Sequence, residues 1–263
     1  MTLRYEKNKF KEGYQYIIGC DEVGRGSLAG PVVAASVILD LACLPARQGF
    51  KISDLKNIKD SKLLSPSQRQ TTAAIIKGNS LWSIGVVSQN IIDNINIHNA
   101  TLLAMRRSVE GLLNSVIPSE ERSDESRNPL NAELSKGKEF LHAHSDALAL
   151  GRDDKKEMLV AIDGRFVIPD INISQEPIIN GDNNVLSIAA ASIIAKVYRD
   201  QLMTEYHQNY PIYNFAQHKG YGTFHHRKMI LQHGLSPLHR LSFCHRLSVA
   251  PLKIRGVRGV MNA

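Results

Sequence analysis

The chain has 263 residues, 43% hydrophobic and 22% charged, an ordinary balance for a soluble globular protein with room for one large domain. No uninterrupted apolar stretch is long enough to span a bilayer, and the polar segment from Met1 to Gly13 lacks the apolar core of a secretory signal, so a membrane or exported protein is not expected. The net charge of +7 is unevenly placed: after Glu205 there is no Asp or Glu, while that tail carries eight Lys/Arg and seven of the ten His. A polyanion is the natural partner of such a surface, because each phosphate contact releases condensed counterions; a solvated basic surface with a loose tail accounts for the charge equally well. Cys20, Cys43 and Cys244 are an odd, unpatterned set that reads as reduced thiols in a cytoplasmic protein, and no Cys/His spacing points to structural zinc.

In chain order, Tyr14 to Cys20 (YQYIIGC) reads as a buried strand ending in acids and glycines, Pro31 to Leu39 as a second strand and Leu81 to Ser88 as a third. Ser65-Pro66 is a helix start, with Ser as N-cap and Pro in the first turn. One long helical pattern runs from about Ile91 to Val116. Pro118 to Glu157 breaks the rhythm with ten acidic and seven basic residues, and reads as an exposed insertion without a catalytic role. Met158 to Ile162 is a strand running into Asp163-Gly164, and Ser187 to about Tyr206 is a helix that Pro211 ends. Strands alternating with helices define an α/β class with a mostly parallel or mixed sheet. There is no internal repeat or long linker, so residues 1–263 are expected to form a single catalytic domain, with 118–157 an insertion and 206–263 a basic substrate-binding segment within it.

Asp21-Glu22-Val23-Gly24-Arg25-Gly26 is the first chemistry-bearing element. Two carboxylates at the end of an apolar strand are costly to bury unless they bind cations, and hard cations such as Mg²⁺ prefer carboxylate oxygen. Adjacent strand residues point to opposite faces, so both acids reach one site only if the strand bends or ends there. A dinucleotide or phosphate loop is excluded: the spacing is not G-x-G-x-x-G, there is no Gly-Lys-Ser/Thr, and a strand rather than a helix follows. Asp163 stands at the end of another apolar strand, and Asp182 follows Asn180-Gly181. Acids at the ends of separate strands can converge at one sheet edge, and three or four of them can hold two divalent ions about 3.5–4 Å apart for phosphodiester hydrolysis.

The strand ending in DEVGRG and followed by SLAGPVVAA resembles the opening of the type 2 ribonuclease H family, ribonuclease HII. Further blocks follow in the family's order: Asp60 to Ser65, Asn96 to Thr101, Ile162-Asp163-Gly164, Gly181-Asp182, Ala190 to Val197 with Arg199-Asp200, His218 to Thr223, and His239-Arg240 with Ser242-Phe243. The match covers about Tyr16 to Phe243 outside the insertion. The resemblance implies a ribonuclease H-like fold, a mixed central sheet flanked by helices with a helical C-terminal part. It implies Mn²⁺ or Mg²⁺ held by the catalytic acids Asp21, Glu22, Asp163 and Asp182, and incision 5′ of a ribonucleotide in an RNA–DNA hybrid or a DNA duplex, leaving 3′-hydroxyl and 5′-phosphate ends. It assigns recognition of the 2′-hydroxyl to Gly24, Arg25, Gly26 and Tyr221. Lys62 and Lys196 are expected phosphate contacts, Ser192 beside Lys196 either helps them or serves helix packing, and Asn96 either contacts substrate or caps a helix. Asp200, four residues past Lys196, reads as its ion-pair partner rather than a metal ligand. The chain departs from the family pattern at Asn180, Tyr198 and Phe224, none of which removes a carboxylate. A monomer with a role in ribonucleotide removal during replication or repair is expected. Two other classes compete: a non-catalytic nucleic-acid binder, which has no reason to set four acids against a phosphate backbone, and a metal nuclease of the same fold acting on plain DNA.

Overall fold

The computed structural model describes residues 3–39, 58, 64–116, 157–245 and 247. Lys62, Cys43 and all of the insertion except Glu157 lie outside the described residues.

Five strands form one mixed sheet: β1 (Tyr16–Val23), β2 (Val32–Ile38), β3 (Leu81–Val87), β4 (Met158–Asp163) and β5 (Ser174–Ile178), in the order β3-β2-β1-β4-β5. β1 pairs antiparallel with β2 and parallel with β4; β2–β3 is antiparallel and β4–β5 parallel. Eight α-helices accompany them among the described residues: α1 (Arg4–Lys11), α2 (Pro66–Gly78), α3 (Gln89–Val116), α4 (Gly181–Asn184), α5 (Leu186–Asn209), α6 (Phe215–His218), α7 (Phe224–His233) and α8 (Leu241–Cys244).

The central strands are apolar on both faces because both faces are covered. The two-residue period of β2 sends Val32, Ala34 and Ile38 into a core with Ile92, Ala104, Val109 and Leu112 of α3. Val33, Ala35 and Val37 join Ala73 and Ile76 of α2 and the apolar stripe of α5 on the other side. α5 lies close on the sheet: a Cβ at Gly19 of β1 would stand 2.1 Å from the carbonyl carbon of Ser187. Only glycine permits this approach, which brings the middle of α5 alongside the end of β1. Ser65 starts α2 with a full capping box, its hydroxyl accepting from Gln68 N–H while the Gln68 side chain accepts from Ser65 N–H.

The long helix expected from Ile91 to Val116 is broken. Asn96 takes φ 65°, ψ 166°, and its side-chain oxygen accepts the N–H groups of His98 and Asn99, capping the second segment. β5 and α1 are among the elements that the sequence reading does not contain. Strand β5 (SQEPI) is an exposed edge containing Pro177, and α1 is polar apart from the residues facing the sheet. Glu6 of α1 is buried and accepts hydrogen bonds from Ser187 N–H and Oγ, supplying the N-terminus of α5 with the cap that Val185 cannot provide.

The described part of the acid-free tail is folded rather than loose. α6, α7 and α8 enclose a small core of Tyr213, Phe215, Ile230, Leu235, Leu238 and Cys244, which packs on Ala29 and on Met203 of α5. Asp93 of α3 accepts from Leu241 and Ser242 N–H at 2.8 and 2.9 Å, capping α8 and fastening the segment to the sheet domain.

Candidate active site

The sequence reading ended the first strand at Cys20. Instead β1 continues through both acids to Val23, with Asp21 opposite Ala35 and Glu22 opposite Ala34 of β2. What opens is the other side, where pairing with β4 stops at Cys20–Ile162. Asp21 points toward α5, where Ser192 hydrogen-bonds it, and Asp163 occupies the same face at the end of β4. Glu22 leaves from the opposite face but is one methylene longer and borders this opening. Asp21, Glu22 and Asp163 thus offer oxygens that all lie within 4.8 Å of one another.

Each acid is held. Asp21 Oδ1 accepts Glu22 N–H at 2.7 Å, Asp163 Oδ1 accepts Gly181 N–H at 2.7 Å, and Glu22 Oε1 accepts from Arg25 at 3.2 Å. Burial, then repulsion from Glu22 and Asp163, pushes the Asp21 carboxyl well above the ordinary range. Burial also raises Glu22, which Arg25 partly relieves. A cluster of hard oxygens that resist carrying their charges together fits divalent cations, whose positive charge removes that conflict.

An acid with a raised folded pKa binds more protons folded than unfolded, so its cost is absent below the ordinary carboxylate range and grows as pH rises through the raised value. In chelator at pH 8, Asp21→Asn should melt above the wild type, by about 2–4 °C for every kcal/mol of repulsion relieved, and the gap should close near pH 4. Added Mg²⁺ or Mn²⁺ should then raise the wild type more than the variant. Melting curves with and without metal check this; a variant that melts lower at pH 8 contradicts it.

These acids open into a cleft of about 320 Å³ lined also by Val23, Arg69, Asp182, Ser192, Lys196 and Tyr221. Asp182, in the first turn of α4, forms part of this wall but stands outside the three-acid cluster; its Oδ1 accepts from Asn183. Asn180, just before it, sits in the left-handed region at φ 55°, a conformation asparagine tolerates better than most residues. Lys196 donates to Asp200 at 2.7 Å, as the i,i+4 spacing predicts. Asp200 also draws Arg69 to 3.7 Å, so a single acid aligns two cations at the cleft. The sequence reading missed Arg69, which lies three residues into α2 beyond an unremarkable Ser-Pro helix start. Tyr221 is 37% exposed, with Lys196 Nζ and Arg199 Cζ at 5.9 and 5.6 Å from its ring centroid.

Gly24, Arg25 and Gly26 form the turn between β1 and β2, beside the cleft rather than in its lining. Gly24 has φ +96°, and a Cβ there would lie 2.2 Å from Arg199 Nε. Two arginines with no exposed surface brace this turn. Arg240 donates to the carbonyls of Gly24, Arg25 and Gly30; Arg199 donates to those of Ala29, Pro31 and Lys219 and to Ser27 Oγ. Bridges Ser27–Tyr221 and Ala29–His239 complete the seam. The turn after the acids and the tyrosine of the basic segment are therefore one rigid unit. Asn96 spends its side-chain oxygen on capping and lies outside the cleft lining, and His226 is buried and also outside that lining.

A mixed sheet with acids at the splayed ends of β1 and β4, closed by helices on both faces, belongs to the ribonuclease H-like class. Two solved structures are similar over most of this fold: ribonuclease H2 from Pyrococcus horikoshii OT3 (TM-score 0.52, 20% identity, 89% of this chain and 97% of that one) and Bst-RNase HIII in complex with Mn²⁺ (TM-score 0.51, 18% identity, 76% and 57%). The family model described as Ribonuclease HII matches residues 18–162 and 154–250. Relatives described as ribonuclease HII include those of Caldicellulosiruptor saccharolyticus, 37% identical over 90% of this chain and 91% of its own, and Alkaliphilus metalliredigens, 37% identical over 93% and 98%. The chain belongs to the ribonuclease HII family, endoribonucleases that hydrolyse the RNA strand of RNA–DNA hybrids. No helix among the described residues is long and apolar enough to cross a membrane.

Proposed function

We propose that this chain incises RNA–DNA hybrids, and DNA duplexes containing single ribonucleotides, on the 5′ side of a ribonucleotide by two-metal-ion hydrolysis, leaving 3′-hydroxyl and 5′-phosphate ends. The observation that carries this reading is the convergence of Asp21, Glu22 and Asp163 in a cleft whose walls hold Asp182, Lys196, Arg69 and Tyr221. Mn²⁺ or Mg²⁺ would be held by Asp21, Glu22 and Asp163, with Asp182 completing the set; the similar Bst-RNase HIII was solved in complex with Mn²⁺. Such ions supply Lewis-acid stabilisation of the phosphate and a water of lowered pKa. The chain's own groups do the rest. Lys196 and Arg69 meet the backbone phosphates, while Ser192 holds the Asp21 carboxyl in place. The Gly24-Arg25-Gly26 turn presents backbone groups that can pair with a hydroxyl, and Tyr221 stacks on the sugar. Lys62 is a further phosphate contact in this reading. The protein acts as a cytoplasmic monomer in ribonucleotide removal during replication or repair; the buried, unpaired thiols of Cys20 and Cys244 accord with a reducing compartment.

The test is a labelled DNA duplex with one embedded ribonucleotide, incubated with Mg²⁺, with Mn²⁺ and with chelator. One cut 5′ of the ribonucleotide, dependent on metal, is expected; equal cutting of the all-DNA duplex would overturn the reading. Tyr221→Ala should lower incision by roughly tenfold or more, the worth of about one stacking contact, while affinity for the all-DNA duplex barely changes. If incision and all-DNA affinity fall together, Tyr221 is a general binding or folding residue.

A further inference from the structure

Three buried histidines of the basic segment take no part in the chemistry above. His218 ends α6, His226 lies in the first turn of α7, and His239 precedes the bracing Arg240. Their hydrogen bonds assign the proton positions. A backbone N–H can only donate, and Ser236 N–H meets His239 Nδ1 at 2.8 Å, so that nitrogen is an acceptor. A neutral His239 then carries its proton on Nε2, 3.0 Å from Nε2 of His226. His226 accepts it there and so bears its own proton on Nδ1, 2.9 Å from the carbonyl oxygen of Tyr221. His218 follows the same rule: Nδ1 accepts Gly220 N–H at 3.2 Å, and Nε2 donates to the Tyr213 carbonyl at 2.6 Å. The His218 and His226 rings stack at 4.2 Å with 17° between their planes. Burial pulls His226 down to about 4 and His239 to about 3, with His218 and His225 adding repulsion at His226 and His226 and His218 adding it at His239, so the chain of donors is neutral at physiological pH.

The chain of donors ends on the segment that bridges Ser27 and carries Tyr221. Tyr221 lies between two glycines, after Lys219 at φ 52° and Gly220 at φ +84°. Its carbonyl, which also accepts Thr223 N–H at 2.8 Å, is held by an imidazole whose orientation is fixed two residues deep.

We infer that His226 and His239 are positioning residues: the directed chain from Ser236 N–H through His239 and His226 to the Tyr221 carbonyl fixes the Tyr221 ring over the substrate cleft. The inference rests on the reading of Tyr221 as a substrate contact. It differs from a packing role because it requires a specific donor at one atom, and because its effect must pass through the Tyr221 side chain.

Two measurements test it. Long-range nitrogen–proton correlation spectra of histidine-labelled wild-type protein should show His226 as the Nδ1–H tautomer and His239 as the Nε2–H tautomer; His226 protonated on Nε2 overturns the chain of donors, whatever the activity. Then kcat/KM on the duplex with one ribonucleotide should fall about tenfold in His226→Leu, the worth of one buried hydrogen bond. His226→Asn, which keeps an N–H near the Nδ1 position, should recover most of it. Adding His226→Leu to Tyr221→Ala should cost nothing further. Equal losses on both backgrounds, or no recovery in His226→Asn, would make these histidines structural only. If Tyr221→Ala alone leaves incision unchanged, the substrate-contact reading fails and the ring-placing role of the histidines falls with it, while the spectrum still decides the donor chain itself. Should His226→Leu not fold, His226→Asn against His226→Gln on the same two backgrounds gives the same comparison, the glutamine amide reaching His239 rather than the Tyr221 carbonyl.

Discussion

Asp163→Asn is expected to abolish incision, by about 10³-fold or more, while the protein stays folded and still binds duplex. The substitution replaces one of three clustered carboxylates by a neutral amide and so weakens the hold on any divalent ion they share. Metal stabilisation of a phosphoryl transition state is worth several kcal/mol, and each 1.36 kcal/mol is about a factor of ten. The fold should tolerate the change. The oxygen that accepts Gly181 N–H at 2.7 Å has a counterpart in the asparagine carboxamide, so the tie between β4 and α4 survives. Loss of one negative charge also relieves Asp21, whose carboxyl is pushed up partly by Asp163 itself. Single-turnover cleavage of a hybrid in Mg²⁺, duplex affinity and a melting curve on one preparation separate these effects. Near wild-type cleavage would sink the metal-ligand assignment; loss of duplex binding in step with activity would reassign Asp163 to structure.

The acids were legible because they interrupt apolar runs: IIGC before Asp21 and MLVAI before Asp163 predict buried strands, and a carboxylate ending such a run needs a reason. Strands β1 to β4 were legible for the same cause, their β-branched residues filling both faces of a covered sheet. Strand β5 was not, because a half-exposed edge needs no run of apolar side chains. The break at Asn96 was hidden because the apolar spacing resumes after it, with Ala100, Ala104 and Leu112 buried as one helix would bury them. The bracing arginines were hidden for another reason. Charge is read as surface, yet Arg199 follows Ala195 by four residues, Ser192 by seven, and precedes Met203 by four, all buried on α5. That spacing was the signal, and it places a guanidinium inside the protein, where backbone carbonyls and the Ser27 hydroxyl satisfy it.

Arg240→Met carries the second large expectation: a loss on the order of 3–5 kcal/mol of stability and, among the molecules that remain folded, a loss of activity beyond what unfolding explains. Arg240 has no exposed surface and donates to Gly30, Arg25 and Gly24 carbonyls at 2.9, 2.8 and 2.8 Å. Methionine fills much of the space but donates nothing, so three carbonyls packed beneath the segment lose the guanidinium together, that of Gly24 keeping the longer 3.4 Å bond from Ser27 N–H. At about 2–4 °C per kcal/mol for a chain of this size, the melting midpoint should fall by roughly 6–20 °C. Arg240→Lys should recover only part, since an ammonium lacks the planar fork that reaches three acceptors at once. The functional effect arises because two of the three acceptors belong to Gly24 and Arg25. Their peptide planes set the backbone groups that the proposed function assigns to substrate, and Gly24, at φ +96°, packs against the Arg199 side chain. Assayed well below the midpoint, Arg240→Met should therefore cut the embedded ribonucleotide more slowly than wild type, while amide exchange accelerates from Gly24 to Gly30 and stays slow in β3. A variant that melts within a degree or two of wild type would show that the carbonyls find other partners. One that is destabilised yet cuts at the wild-type rate would show that the turn holds its shape without the guanidinium.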